Sequence, residues 1–166
     1  MSEHKKGLPK PEKNLIHYAA FGFGSGLAPK APGTFGTVAG MAIYWLLLQD
    51  LSLTSYIVML LATTVLGIYL CHKTAADLQV HDHPGIVWDE FVGYWITMLM
   101  APAGMIWLLL GFVYFRIFDI LKPWPISWLD KKVGGGFGIM VDDILAGIFA
   151  LATLQLTAYF LPSLSF

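Results

Sequence analysis

The sequence predicts an all-α membrane protein, a compact multi-pass helical bundle in which some helices are short and partly broken. Three observations predict it. The 166 residues are 57% hydrophobic and 13% charged, with a mean hydropathy of +0.66, whereas a soluble domain is about a quarter charged. The apolar residues fall in long runs almost free of charge. The Lys, Asp, Glu and His residues crowd into the connections between those runs. Together these exclude a disordered chain, a disulfide scaffold and an ordinary water-soluble globule.

The elements follow in order. Residues 1–14 form a polar tail bearing Lys5, Lys6, Lys10 and Lys13, and residues 15–166 form a single domain. No short apolar core with a small-residue cleavage site follows the tail, so the spans themselves are expected to do the targeting. Residues 15–23 (LIHYAAFGF) are too few to span and read as an interfacial or packed segment. Residues 24–37 (GSGLAPKAPGTFGT), rich in glycine and proline, read as an ordered loop. Residues 38–48 carry a first span, short unless it begins near Thr34, and Gln49-Asp50 ends it. Residues 51–71 are the clearest transmembrane helix, about 30 Å long. Residues 72–90 are polar. Residues 91–115 are apolar but interrupted by Ala101-Pro102-Ala103-Gly104. Residues 116–138 are mixed, with Trp124 and Trp128 as interfacial anchors. Residues 144–161 form the last apolar helix, entered through Asp142-Asp143 and stopped by Pro162.

Charge placement decides how residues 91–115 run. Lys and Arg mark the cytoplasmic side. If Ala101-Pro102-Ala103-Gly104 is a hairpin turn, the chain has about five spans and every Lys and Arg lies on one face. A single kinked span would instead put Arg116, Lys122, Lys131 and Lys132 outside. The hairpin is the preferred reading, with its short arms covered by neighbouring protein.

The net charge of −1 gives no global field for nucleic acid, so no nucleic-acid partner is expected. Cys71, the only cysteine, allows no internal disulfide and reads as a small core residue.

Four clusters stand out. The first is His81-Asp82-His83-Pro84-Gly85-Ile86-Val87-Trp88-Asp89-Glu90. Asp89 and Glu90 abut an apolar run, where an ionised carboxylate is costly without a cation or metal; the plain alternative is charge placed at a helix N-terminus. In the second, Arg116, Asp119 and Lys122 recur every three residues on one helical face. They form either a surface ion-pair ladder or a phosphate clamp, for which a planar guanidinium is suited. The third runs from Gly134 through the adjacent acids Asp142 and Asp143. The glycines would serve as a turn or a phosphate approach, and the acids as helix caps or metal ligands. Ala146, Gly147 and Ala150 further along permit close helix packing. The fourth is the loop with Ser25, Lys30, Thr34 and Thr37, an anion site or a structural entry to the first span. His4 and His17 carry no partner pattern.

Oxygen ligands without thiolates favour a hard cation such as Mg²⁺. Carboxylates, a divalent metal and an Arg/Lys clamp are the parts that stabilise a transferring phosphoryl group. Their place at one membrane face points to a substrate in the bilayer, such as a phospholipid with a terminal phosphate. From composition and spacing alone the reading stops at metal-dependent phosphoryl or ion chemistry at a membrane surface.

Several blocks carry a resemblance to a known family. His81-Asp82 with Ile86-Val87-Trp88-Asp89-Glu90 and Gly93 form one. Phe115-Arg116-Ile117-Phe118-Asp119 with Lys122-Pro123-Trp124-Pro125-Ile126 form another, and Gly138-Ile139-Met140-Val141-Asp142-Asp143 a third. With Gly22-Phe23-Gly24-Ser25-Gly26-Leu27 and Pro32-Gly33-Thr34, they resemble phosphatidylglycerophosphatase A from about Ala20 to the last helix. The resemblance implies an all-helical bundle around a central helix in the bacterial inner (cytoplasmic) membrane. It implies an Mg²⁺-dependent lipid phosphatase acting on phosphatidylglycerophosphate in phosphatidylglycerol synthesis, with the site on the cytoplasmic face. The roles this suggests are Asp89, Glu90, Asp142 and Asp143 as metal ligands and His81, Asp82 and Asp119 as catalytic or orienting groups. Arg116 and Lys122, with Ser25, Lys30 and Thr34, would bind phosphate and headgroup. The nucleophile is a metal-activated water or an aspartate. The partners implied are the lipid substrate and the bilayer, and a homo-oligomer is compatible with them.

Other classes fit less well. A phosphatidyltransferase of the CDP-alcohol type wants a D-G-x₂-A-R run that is missing here. An ion-coupled transporter or channel would place Asp119, Asp142 and Asp143 near mid-membrane, whereas they stand at span ends. Cys71 lacks the closely following Arg of a C-x₅-R phosphatase loop.

Overall fold

Helix α1 (Leu15–Ala20) starts where Asn14 caps it, its side-chain oxygen accepting from the His17 N–H at 2.8 Å. In this computed structural model, which describes residues 9–161, seven α-helices follow one another with no strand among the described residues. The polar tail is therefore described only from Pro9, and Lys5, Lys6 and the expected stop at Pro162 lie outside the described residues. Left-handed conformations at Gly22, Phe23 and Gly24 end α1 and turn the chain through a short 3₁₀ segment, Gly22–Leu27.

Helix α2 (Pro32–Ile43) begins on a proline suited to a first turn, so the expected loop over 24–37 is already helical from Pro32. A π-helical stretch, Tyr44–Leu48, prolongs it. Ser52 caps α3 (Leu53–Leu78), which runs seven residues past the expected end at Cys71. It continues because Thr74, Ala75 and Leu78 are buried and Lys73 pairs with Asp77 one turn on. Gln79, in a left-handed conformation, then stops it.

Residues 91–115 are two helices, α4 (Trp88–Thr97) and α5 (Met105–Leu121), joined by the turn at 98–104. They pack antiparallel, as the expected hairpin requires. Gly93 faces Phe115, the Tyr94 hydroxyl donates to Leu108 O at 3.1 Å, and Arg116 reaches Glu90. After the short α6 (Ile126–Lys132), α7 (Gly135–Phe160) begins nine residues before the expected Ile144. The glycine run is thus the first turn of a helix, not a free loop.

Helix α4 is the centre. Nearly its whole circumference is buried, as a helix enclosed by others must be. Its aromatic polar groups tie it to its neighbours: Trp95 Nε1 donates to Gly40 O of α2 at 2.9 Å and Trp88 Nε1 to Thr63 O of α3 at 3.1 Å. In return the Tyr56 hydroxyl of α3 donates to Trp95 O at 2.7 Å. Against α7 the contact is backbone to backbone at Gly93 and Gly147. Two helices, α3 and α7, are long and apolar enough to cross a membrane. The outward side of α3 exposes Val58, Leu61 and Val65, a run of large apolar residues that water-exposed surfaces rarely carry.

Candidate functional site

The charged residues gather at the end of the bundle where α4 and α7 begin and α5 ends. Asp89 and Glu90 lie in the first turn of α4. Asp142 and Asp143 are the eighth and ninth residues of α7, two turns inside it, so they do not cap it; helix-dipole effects fade within the first turn. Both are buried. With Arg116, Asp119 and Lys122 from the end of α5, and Asp82 from the loop before α4, these residues line one cavity of about 370 Å³.

Two cations organise it. Arg116 Nη1 donates to Asp119 Oδ2 at 2.5 Å, to Glu90 Oε1 at 3.4 Å and to Thr37 Oγ1 at 3.5 Å. Its Nε is buried without a partner, a spare donor beside the cavity. Lys122 adopts a left-handed backbone at the end of α5, a conformation that costs an ordinary residue about 1–3 kcal/mol and collects at functional sites. Its Nζ donates to Asp142 Oδ2 at 2.5 Å and to Asp130 Oδ1 at 2.8 Å. Burial disfavours the ammonium, but these two carboxylates outweigh that and hold its pKa above the ordinary lysine value.

The carboxylates are left incomplete. Asp89 Oδ1, Glu90 Oε2, Asp142 Oδ1 and Asp143 Oδ2 are buried without a hydrogen-bond partner. Buried polar atoms are nearly always satisfied, so four such oxygens around one cavity fit a hard, oxygen-seeking cation. Glycines on α2 admit one of the four. A Cβ at Gly33 would collide with Glu90 Oε1, and one at Gly36 with Glu90 Oε2.

Of the residues singled out in the sequence, Asp82, Asp89, Glu90, Arg116, Asp119, Lys122, Asp142 and Asp143 are brought together here. Ser25, Lys30, Thr34 and His81 are not among the residues lining the cavity. Ser25 Oγ donates to Gly22 O at 2.8 Å within its own turn, and Lys30 and His81 are exposed. Thr37, singled out with the fourth cluster, stands beside Arg116, and two features escaped the sequence: Asp130 as the second partner of Lys122 and the glycine cradle around Glu90. Asp130 gave no local signal, because the turn between α5 and α6 brings it back to Lys122.

Elsewhere, Glu12, His17 and Asp77 offer ligand atoms within 4.8 Å of one another, a spacing that could hold a metal ion. Both His17 nitrogens are engaged. The Glu12 N–H donates to Nδ1 at 2.9 Å, which leaves Nε2–H to donate to Asp77 Oδ2 at 3.1 Å. The trio here fastens the chain ahead of α1 to α3.

The sequence pattern of the phosphatidylglycerophosphatase A family matches residues 18–158. A phosphatidylglycerophosphatase A of Escherichia coli is 47% identical over 150 residues, covering 90% of this chain and 87% of the relative. One of Haemophilus influenzae is 47% identical over 149 residues, covering 89% and 91%. A Bacteroides thetaiotaomicron protein, provisionally named a phosphatidylinositol-3-phosphatase, is 34% identical over 145 residues, covering 83% and 90%. No solved structure matches. The match runs through every element that lines the cavity, from α2 to α7, and the chain belongs to the phosphatidylglycerophosphatase A family.

Proposed function

We propose that the chain is a lipid phosphatase that hydrolyses the terminal phosphomonoester of phosphatidylglycerophosphate, giving phosphatidylglycerol and inorganic phosphate. The observation that carries the reading is the cavity itself: four carboxylates, each with one buried, unpartnered oxygen, beside an arginine and a lysine. Asp89, Glu90, Asp142 and Asp143 would hold Mg²⁺, which supplies charge neutralisation and an acidified water. Arg116 and Lys122 bind the non-bridging phosphate oxygens, a trigonal set that a planar guanidinium and an ammonium can grip together. Asp119 fixes the guanidinium through its 2.5 Å bond. Lys122 shares its ammonium between Asp142 and Asp130, and Asp130, with its side chain 39% exposed, is open to water when phosphate draws the ammonium away. Asp82, exposed at the cavity's edge, would give a proton to the departing glycerol oxygen as the P–O bond breaks.

The protein is a multi-pass bundle of the bacterial inner membrane, with this end on the cytoplasmic face. The short α4 crosses under cover of its neighbours. The charged residues lie at one end of the bundle, where a lipid headgroup would be, and not strung along its length as an ion path would need.

The deciding assay is phosphate release by the purified protein from phosphatidylglycerophosphate, with Mg²⁺ or with EDTA, beside phosphatidylinositol 3-phosphate. Metal-dependent release from the first substrate is expected; none from it refutes the reading. A cysteine at the exposed Lys132 should react with impermeant thiol reagents only from the cytoplasm, and periplasmic labelling would invert the topology.

A further inference from the structure

A second and larger cavity adjoins the carboxylate site. Its volume is about 920 Å³, near the top of the roughly 300–1,000 Å³ range of small-molecule sites. Leu15, Tyr18, Phe21, Leu27 and Pro29 give it a mainly apolar wall, and it meets the carboxylate cavity at Pro32 and Pro84, which line both.

One wall is the non-helical chain at 9–14, and two buried histidines fix it there. His83 Nε2–H donates to Pro9 O at 3.0 Å while its Nδ1 accepts from the Gly85 N–H at 3.0 Å. His17 accepts from the Glu12 N–H and is held in turn by Asp77. Both imidazoles are buried. A wall fastened at two points by buried groups makes the groove a preformed feature rather than a gap between loose segments. Leu15, Tyr18 and Leu27 of its lining are exposed, so it opens onto an apolar surface. Lys10 and Lys13 stand exposed among its lining residues.

An apolar trough with cations at its edge and a phosphate-binding cavity at one end has the chemistry of a glycerophospholipid. We propose that this groove holds the diacylglycerol end of the lipid whose phosphomonoester enters the carboxylate cavity, with Lys10 and Lys13 facing its phosphodiester. The proposal rests on the phosphatase reading above for the identity of the headgroup. The residues that precede the groove wall, MSEHKKGL, carry Glu3, His4, Lys5 and Lys6 and are too polar to be its natural filling.

The test uses the full chain in phosphatidylcholine vesicles containing phosphatidylglycerophosphate with a diazirine near the ester of one acyl chain. Photolysis and peptide mapping should label residues within 9–32. A tenfold excess of unlabelled phosphatidylglycerophosphate should cut that labelling about tenfold by mass action, and added phosphatidylcholine should not. Label confined to the outward faces of α3 and α7 overturns the proposal. So does groove label that no competitor reduces, or cross-links placing residues 1–8 or a second copy there. In a second arm, Ala28→Trp, which narrows the groove, should raise KM for the diacyl substrate over that for its deacylated headgroup by roughly fourfold, about the worth of one buried methylene. An equal change for both substrates counts against the groove. Labelling needs no turnover. If the native protein released no phosphate, the phosphatase reading would fall while the labelling still decided the groove.

Discussion

Replacing Gly147 with alanine tests whether the crossing of α4 over α7 sets the geometry of the site. A Cβ there would lie 2.5 Å from Gly93 O and 3.2 Å from Gly93 Cα. Both are backbone atoms, which cannot rotate away. To restore ordinary contact at 3.4 Å the two helices must part by about 0.9 Å. Gly93 follows Asp89 and Glu90 by one turn, and Gly147 follows Asp143 by one turn, so the separation passes directly to the carboxylates. Stability should change little. Alanine gains about 1 kcal/mol of helix propensity over glycine, against about 1–3 kcal/mol for overpacking, a net loss of roughly 0–2 kcal/mol. Activity should fall much further, since a displacement near 1 Å costs on the order of 10²-fold. The assays are Mg²⁺-dependent phosphate release and thermal unfolding of the same preparation. Gly111→Ala is the control, because its Cβ meets the sulfur of Met98, the yielding end of a flexible side chain. It should retain activity within about threefold, or under 1 kcal/mol of barrier. A Gly147→Ala protein with native activity would show that the crossing does not position the acids.

Asp143 is buried, and its Oδ2 has no partner. Asp143→Asn should therefore abolish turnover yet hold or raise the melting temperature in EDTA, by removing one of several crowded negative charges; a large loss of stability with activity retained would make it structural. Asp89→Asn should lose at least about 10²-fold in kcat, and near-normal rates would reject it as a ligand. Lys122→Met removes the ammonium from Asp142 and should cost about 1–2 kcal/mol, less than a fully buried pair because the lysine side chain is 29% exposed. The folded-state pKa of Lys122 is raised, so its contribution is fully present below the ordinary lysine value and fades only as the pH rises through the folded one. The difference between native and Lys122→Met melting should accordingly stay flat from pH 6 to pH 9, and a gap that closes within that window would assign the effect to another group.

The helical class and the broken span were legible because hydropathy and the Pro-Ala-Gly turn act locally. Helix ends were not. Helix α3 runs past Cys71 because Thr74, Ala75 and Leu78 are buried in the bundle, and nothing in a run of His, Lys, Thr and Asp announces that burial. Helix α7 starts ahead of its apolar run for the converse reason. Glycines read as a loop when taken alone, but Gly136 lies so close to Ile68 O and His72 that only a residue without a side chain fits there. Tertiary contact overrides propensity at both ends.

The site was legible to the extent that its members are charged and its setting is apolar. An acid beside a membrane span calls for a partner, and that argument needs no coordinates. It picks out Asp89, Glu90, Asp142 and Asp143, but says nothing of which uncharged residues place them. Those are glycines: Gly33 and Gly36 make room for the Glu90 carboxylate, while Gly93 and Gly147 let the helices bearing the two acidic pairs touch backbone to backbone. In the sequence Gly147, with Ala146 and Ala150, reads as a packing stripe and the acids as chemistry, two separate features. In the fold they are one device, because the distance at which the stripe lets the helices cross sets the distance between the two acidic pairs, across which they would share the proposed cation.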